Sequence, residues 1–334
     1  MKSIEERLSK ELNVTIKQVE NVIELLDGGN TIPFIARYRK EVTGGLTDVI
    51  LRQLSERLIY LRNLDARKED VIRIIEEQGK LTEELKNSVL KCDTLTEVED
   101  LYRPYKPKKR TKATIAIGKG LKPLAYIILE GNFKGDIHEE AGKYIDEEKG
   151  VTTTKEALEG AQDIISEIIS DEAEYRKWIR SFVNKEGVIQ TSGESKEPTP
   201  YEMYYSYSEA VKSIPSHRVL AINRGEKEKI LSVKVLADND RIIDYLKGKV
   251  LKGNEITDIY LENSIGDSLK RLIYPSIERE IRSQLTDRAE EGAIEIFMAN
   301  LKALLMQSPI KGKVVLGYDP GFRTGCKIAV LDDT

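Results

Sequence analysis

Along most of the chain, apolar positions return every three to four residues, the period of an amphipathic helix. Ile16, Val19, Val22, Ile23 and Leu26 follow it, and Asp27-Gly28-Gly29-Asn30 stops the run. Leu51, Leu54, Leu58 and Leu61 make a second stripe, and Val71, Ile72, Ile74 and Ile75 belong to a further helix ended by Gly79. Thr94 with Glu97, and Thr153 with Glu156, have capping-box spacing. The second box opens an amphipathic segment carrying Leu158, Ala161, Ile164, Ile165 and Ile168. Pro275 suits the first turn of a long helix. Its buried face runs through Ile277, Ile281 and Leu285, continues through Ile296, Phe297, Leu301, Leu304 and Leu305, and stops at Pro309.

A period of two is rare. Residues 229–238 (KILSVKVLAD) alternate Leu231, Val233 and Val235 with Ser232 and Lys234, which predicts a half-buried strand. A partner is available at 186–191 (EGVIQT). A C-terminal hairpin is predicted from VVLGYD (314–319), the turn PGFRTG and the returning CKIAVLDD. No period of 20–50 residues repeats. The expected fold is mainly α and multi-helical with small β elements, followed by the first hairpin of a different domain.

Composition narrows the function. Of 334 residues, 40% are hydrophobic and 33% charged, and no apolar run approaches the roughly 20 residues of a membrane helix. The 53 basic and 57 acidic residues leave a net charge of −4, so any surface for nucleic acid must be local. Cys92 and Cys326 lie far apart in unlike settings, which argues against a disulfide framework and for a reducing cytoplasm. With only two histidines as well, little remains from which to build a zinc site, and no metal or cofactor is expected.

Four stretches carry candidate chemistry. The densest is YRPYKPKKRTK (102–112), with Arg103, Lys106, Lys108, Lys109, Arg110 and Lys112 interleaved with Tyr102 and Tyr105. Pro104 and Pro107 keep it extended, which spaces the cations along a path a phosphate backbone can follow, while the tyrosines offer stacking faces. It also suits a solvated connector between helical domains. In 28–46, paired glycines bracket Arg37, Arg39 and Lys40, which can meet phosphate or pair with nearby acids, the structural use being favoured. In 201–231, tyrosines 201, 204, 205 and 207 precede Ser216-His217-Arg218. Neighbouring helical residues do not face each other, so Ser216 reads better as an N-cap with Gly225 as the helix stop than as a nucleophile. His217 and Arg218 at that N-terminus offer a phosphate contact. Finally, Asp319 stands at the end of a strand, where a two-metal nuclease places its first carboxylate. Asp332 and Asp333 lie too far along the hairpin to share an ion with it, so an acid capping its own turn is the preferred reading, with no catalytic residue assigned beyond Asp319 as a weak candidate.

Together these stretches resemble the Tex family of bacterial transcription accessory proteins and, distantly, the eukaryotic elongation factor of similar architecture. The resemblance rests on TIPFIARYRKEVTGGL (31–46), EDLYRPYKPKKRTKATIA (99–116), IPSHRVLAINRGE (214–226) and YDPGFRTGCKIAVLD (318–332), in that order. It implies a helical N-terminal domain over 1–120 with a helix-turn-helix-like element and a central helical region with a small β element over 121–312. It also implies the start of a YqgF domain of RNase H-like fold over 313–334, generally regarded as catalytically degenerate. The helix-hairpin-helix modules and OB-fold RNA-binding domain that such proteins carry would be absent, making the chain a fragment. The leading expectation is a non-enzymatic nucleic-acid-binding accessory protein of the cytoplasm that contacts RNA or DNA weakly and without sequence preference, with no membrane partner. The alternatives are a metal-dependent nuclease or resolvase using Asp319 in the full-length protein, and an interaction scaffold for RNA polymerase.

Overall fold

A computed structural model describes residues 3–308, 311–321 and 325–332. The expected stop at Pro309, the turn residues 322–324 and Asp333 lie outside the described residues. Helices α1 (Ile4–Leu12), α2 (Ile16–Asp27) and α3 (Ile32–Tyr38) precede the long α4 (Asp48–Glu77). Next come α5 (Glu83–Lys91), α6 (Leu95–Tyr102), a 3-10 turn at Arg103–Tyr105, α7 (Lys112–Gly118), α8 (Lys122–Glu130) and α9 (Ile137–Gly142). Helices α10 (Thr154–Asp171) and α11 (Ala173–Glu186) are followed by strands β1 (Val188–Gly193) and β2 (Ser206–Ala210), helix α12 (Ser216–Lys227) and strand β3 (Leu231–Leu236). Helix α13 (Asn239–Val250) leads to α14 (Glu255–Asp267), which passes through a π-helical segment, Ser268–Ile273, into α15 (Tyr274–Leu305). Strands β4 (Val315–Asp319) and β5 (Lys327–Leu331) come last.

The chain forms two compact units, Met1–Phe182 with Asp238–Ile277, and Val183–Ala237 with Glu278–Thr334. In the first, the two predicted stripes of 51–75 prove to be one face of a single 30-residue helix, α4. Nothing between Leu61 and Val71 breaks a helix, and Leu51, Leu54, Leu58, Leu61, Leu64, Val71 and Ile75 are all buried. They pack with Leu8, Val19, Val22 and Ile35 of the preceding helices. Arg57 grips Glu11 through two hydrogen bonds of 2.6 and 3.0 Å, and Arg62 grips Asp27 through two of 2.7 Å. Lys68 occupies the stripe as well, because its Nζ donates to the Leu90 carbonyl at 3.2 Å, near the C-terminal end of α5.

Helices α7, α8, α9 and α14 pack against α10, and α13 packs against α14. The buried face of α10 is Ala157, Leu158, Ala161, Ile164, Ile165 and Ile169, whereas the predicted Ile168 is 36% exposed. Both predicted N-caps form: Thr94 and Thr153 accept from the backbone of Glu97 and Glu156 at 3.2 Å. The reciprocal bonds arrive one residue upstream, from the Asp93 and Thr152 amides.

The second unit holds an antiparallel sheet in the order β2-β1-β3. Ile189 faces Val235 and Thr191 faces Val233, so the predicted β1–β3 pair exists, and β3 alternates buried and exposed residues throughout. Strand β2, which no alternation announced, pairs along the other edge of β1. Two expectations for α12 are corrected. Pro215, not Ser216, is the N-cap, and the helix runs past Gly225 to Lys227. Gly225 is buried, and a Cβ there would come within 2.6 Å of Leu231 Cδ1. The chain reverses instead at Lys229, which takes the left-handed conformation at φ 61°. Helix α15 joins this unit through Glu278, which accepts from the Val235 amide at 2.8 Å, and through the Asn223 Nδ2 bond to Thr286 at 2.8 Å.

Pro275 sits in the first turn of α15, but the helix does not begin afresh there. The Tyr274 amide donates to the Leu269 carbonyl five residues back, a π-helical bond beside the donor that proline lacks. Ile277, Ile281 and Leu285 are buried as expected. The continuation is corrected: Phe297 is 65% exposed, and Ile296, Leu301, Leu304 and Leu305 are exposed with it. No described helix is long and apolar enough to cross a membrane.

Candidate nucleic-acid interface

Helix α6 ends where Pro104 removes a backbone donor, and Pro107 keeps the chain from resuming a helix before Thr111 caps α7. Tyr102 is buried, with the Arg67 guanidinium 5.1 Å over its ring, so it offers no stacking face. Gln78 Nε2 donates to the Tyr105 carbonyl at 2.9 Å and fixes the start of the extended part.

The six cations of 103–112 then separate by partner. Arg103 Nε donates to Asp171 Oδ1 at 3.2 Å. Lys108 pairs with the same carboxylate and with Glu167 Oε1 at 2.5 Å. Thr111 Oγ1 adds a bond to Glu167 Oε2 at 3.0 Å. Lys106, Lys109 and Arg110 face solvent, and among the described residues their side chains have no ion pair or hydrogen bond. Lys112 is 64% exposed and stands 3.9 Å from Asp163. Two of the predicted contacts are therefore neutralised within the fold, three are unpaired, and Lys112 is exposed but ion-paired to Asp163.

A separate buried network at the end of α6 draws on residues far along the sequence. Buried Asp100 accepts from Arg176 Nε at 2.9 Å and from Arg180 Nη2 at 2.7 Å, and Arg176 Nη2 continues to Ser276 Oγ at 3.0 Å. Burial, then the nearby Arg103 charge, pushes the Arg176 pKa down from its ordinary value. Burial likewise pushes the Asp171 carboxyl up, opposed by its bond to Lys108. Asp171 and Arg103 are 68 residues apart, so no local pattern could announce Glu167 or Asp171 as partners of the basic segment.

The glycine-bracketed stretch forms a second basic display. Thr43, fully buried, donates to the Arg39 or Lys40 carbonyl at 3.2 Å, and Asn21 and Gln18 of α2 donate to the carbonyls of Val42, Thr43 and Gly44. Gly44 and Gly45, at φ 64° and 77°, turn the chain back toward α4. Arg37, Arg39 and Lys40 end up exposed. The expected pairing with nearby acids is not found among the described residues. Arg39 lies over the Phe34 ring at 5.1 Å and donates to the Tyr38 carbonyl instead.

His217 is exposed in the first turn of α12. Arg218 is not free: it pairs with Glu209 at 2.9 Å and bonds the Tyr207 hydroxyl at 3.0 Å. Asp319 is exposed and lies opposite Lys327 at the turn end of the β4–β5 hairpin, whereas Asp332 follows the other end of β5. Among the described residues no group of three or more His, Cys, Asp or Glu is placed to hold a metal ion. A recess of about 400 Å³ is lined by Lys91, Cys92, Glu97, Asp100 and Lys177. Burial pushes the Cys92 thiol there up to about 11, which makes it a poor nucleophile.

Residues 2–76 match the Tex-like protein N-terminal domain, and residues 133–297 match the Tex central region-like family. The chain belongs to the Tex family. It is 51% identical over 337 residues to the Bacillus subtilis protein YdcI, covering 99% of this chain and 47% of that one. With the transcriptional accessory protein Tex of Neisseria gonorrhoeae it shares 41% identity over 340 residues, 98% of this chain and 44% of the relative. The human S1 RNA-binding domain-containing protein 1 is 35% identical over 346 residues, 98% of this chain and 34% of its own length. The chain thus spans about half the length, or less, of these Tex-family relatives.

Proposed function

We propose that the chain is a non-catalytic, nucleic-acid-binding part of a cytoplasmic transcription accessory protein of the Tex family. The observation that carries this reading is the row of unpaired cations Lys106, Lys109 and Arg110, with Lys112 beside them, on a segment fixed at both ends. Such a row neutralises phosphates and reads no base edges, so it favours weak binding of RNA or DNA without sequence preference. The names of the relatives support the same direction, since one is a transcriptional accessory protein and another contains an S1 RNA-binding domain. Arg37, Arg39, Lys40 and His217 are secondary contacts in this reading.

The test is a fluorescence-anisotropy titration of a labelled single-stranded RNA with the wild type and with Lys106→Glu, Lys109→Glu and Arg110→Glu combined. Binding by the wild type that disappears in the triple variant is expected. Equal binding by both proteins would remove the segment from the interface. A second reading, contact with a protein such as RNA polymerase, has its own support in the exposed apolar residues Phe297, Leu301, Leu304 and Leu305 of α15. Retention of RNA polymerase by the triple variant after nuclease treatment would favour it.

A further inference from the structure

Arg103, Lys108 and Thr111 all turn inward to two carboxylates on the last turns of α10, Asp171 and Glu167. We propose that this pair positions the interface: it holds the 3-10 turn at 103–105 and the non-helical stretch 106–111 in one path, so that the side chains between the anchors project as a row. The inference rests on the nucleic-acid reading above and adds to it residues that are not themselves contacts.

Three features support a positioning role over a general docking of helices. The anchors alternate with the free cations along the segment: Arg103 and Lys108 point in, while Lys106, Lys109 and Arg110 point out. Two carboxylates meet two cations, so the anchor is locally neutral and leaves the field of the outward row uncancelled. Asp171, with its side chain only 10% exposed, is costly to bury unless its partners stay in place, which ties the path of the segment to the folding of α10. A segment ordered before binding does not lose that freedom on meeting a phosphate chain.

The experiment measures binding of a fluorescein-labelled oligouridylate by the full chain at several potassium chloride concentrations, comparing wild type, Asp171→Asn and Lys108→Gln. Asp171→Asn is expected to weaken binding roughly tenfold at every salt concentration, the scale of a lost preorganisation. The slope of log affinity against log salt stays that of the wild type, because the number of neutralised phosphates is unchanged. Lys108→Gln is expected to do the same. It lies on an exposed segment, so it decides the matter by itself should circular dichroism show that Asp171→Asn does not fold. Tighter binding with a steeper slope would overturn the proposal, since the acids would then merely withhold two cations. Unchanged affinity in both variants would overturn it as well, as would a slope made shallower by about 0.7 in Lys108→Gln, the signature of a lost phosphate contact. Absence of salt-sensitive binding in the wild type would instead bring down the nucleic-acid reading itself.

Discussion

At the scale of single residues, environment separates side chains that composition counts together. Lys106 and Lys108 stand two positions apart, yet the first is free and the second is held by two carboxylates. The two cysteines differ in the same way. Cys92 is buried with its pKa raised from 9.0 to about 11, whereas Cys326 is exposed. The raised value means that the folded state keeps its proton to higher pH than the unfolded state does. Stability on this account is retained below pH 9 and declines as pH rises from 9 toward 11. At neutral pH the shift lowers the Cys92 thiolate fraction by about a hundredfold. Labelling with a disulfide reagent should therefore modify one thiol quickly in the native protein and the second only with unfolding. Two equally fast thiols would contradict the buried placement of Cys92.

At the scale of elements, periodicity predicted which segments are helices better than where each one stops. The α4 stripe was legible because a 3.6-residue period needs only local spacing. Gly225 was misread because glycine serves both as a helix stop and as a point of close approach, and only the packed neighbour tells the two apart. Here that neighbour is Leu231, with Tyr201 Cδ1 3.2 Å from where a Cβ would stand. Gly225→Ala is accordingly expected to lower stability by about 1–3 kcal/mol in urea unfolding, although alanine is the better helix former. A neutral or stabilising result would mean that the helix and strand can separate without cost. The far end of α15 fails in the opposite sense: Phe297 and Leu301 keep the helical period, but nothing described covers them.

For the whole molecule, the net charge of −4 sets the expected character of binding. An acidic surface repels phosphate except where cations are grouped, so affinity depends on the few that are free. With three to four of them engaged on a single strand, a fourfold rise in salt should weaken binding roughly twentyfold to fiftyfold. Titrations of the wild type at two salt concentrations check this, and a salt-independent affinity would point to a contact made by apolar or aromatic groups.

The sequence by itself determined the helical class, the half-buried alternation of β3, the β4–β5 hairpin, the caps at Thr94 and Thr153 and the existence of a basic, proline-stiffened segment. All of these follow from spacing within a few residues, because helix faces, strand faces and caps are short-range geometry. Only the tertiary structure decided which of the six cations of that segment remain available. Asp171 and Glu167 reach it from more than fifty residues away, and whether a charge is solvated or paired depends on what the fold brings within a few ångströms of it.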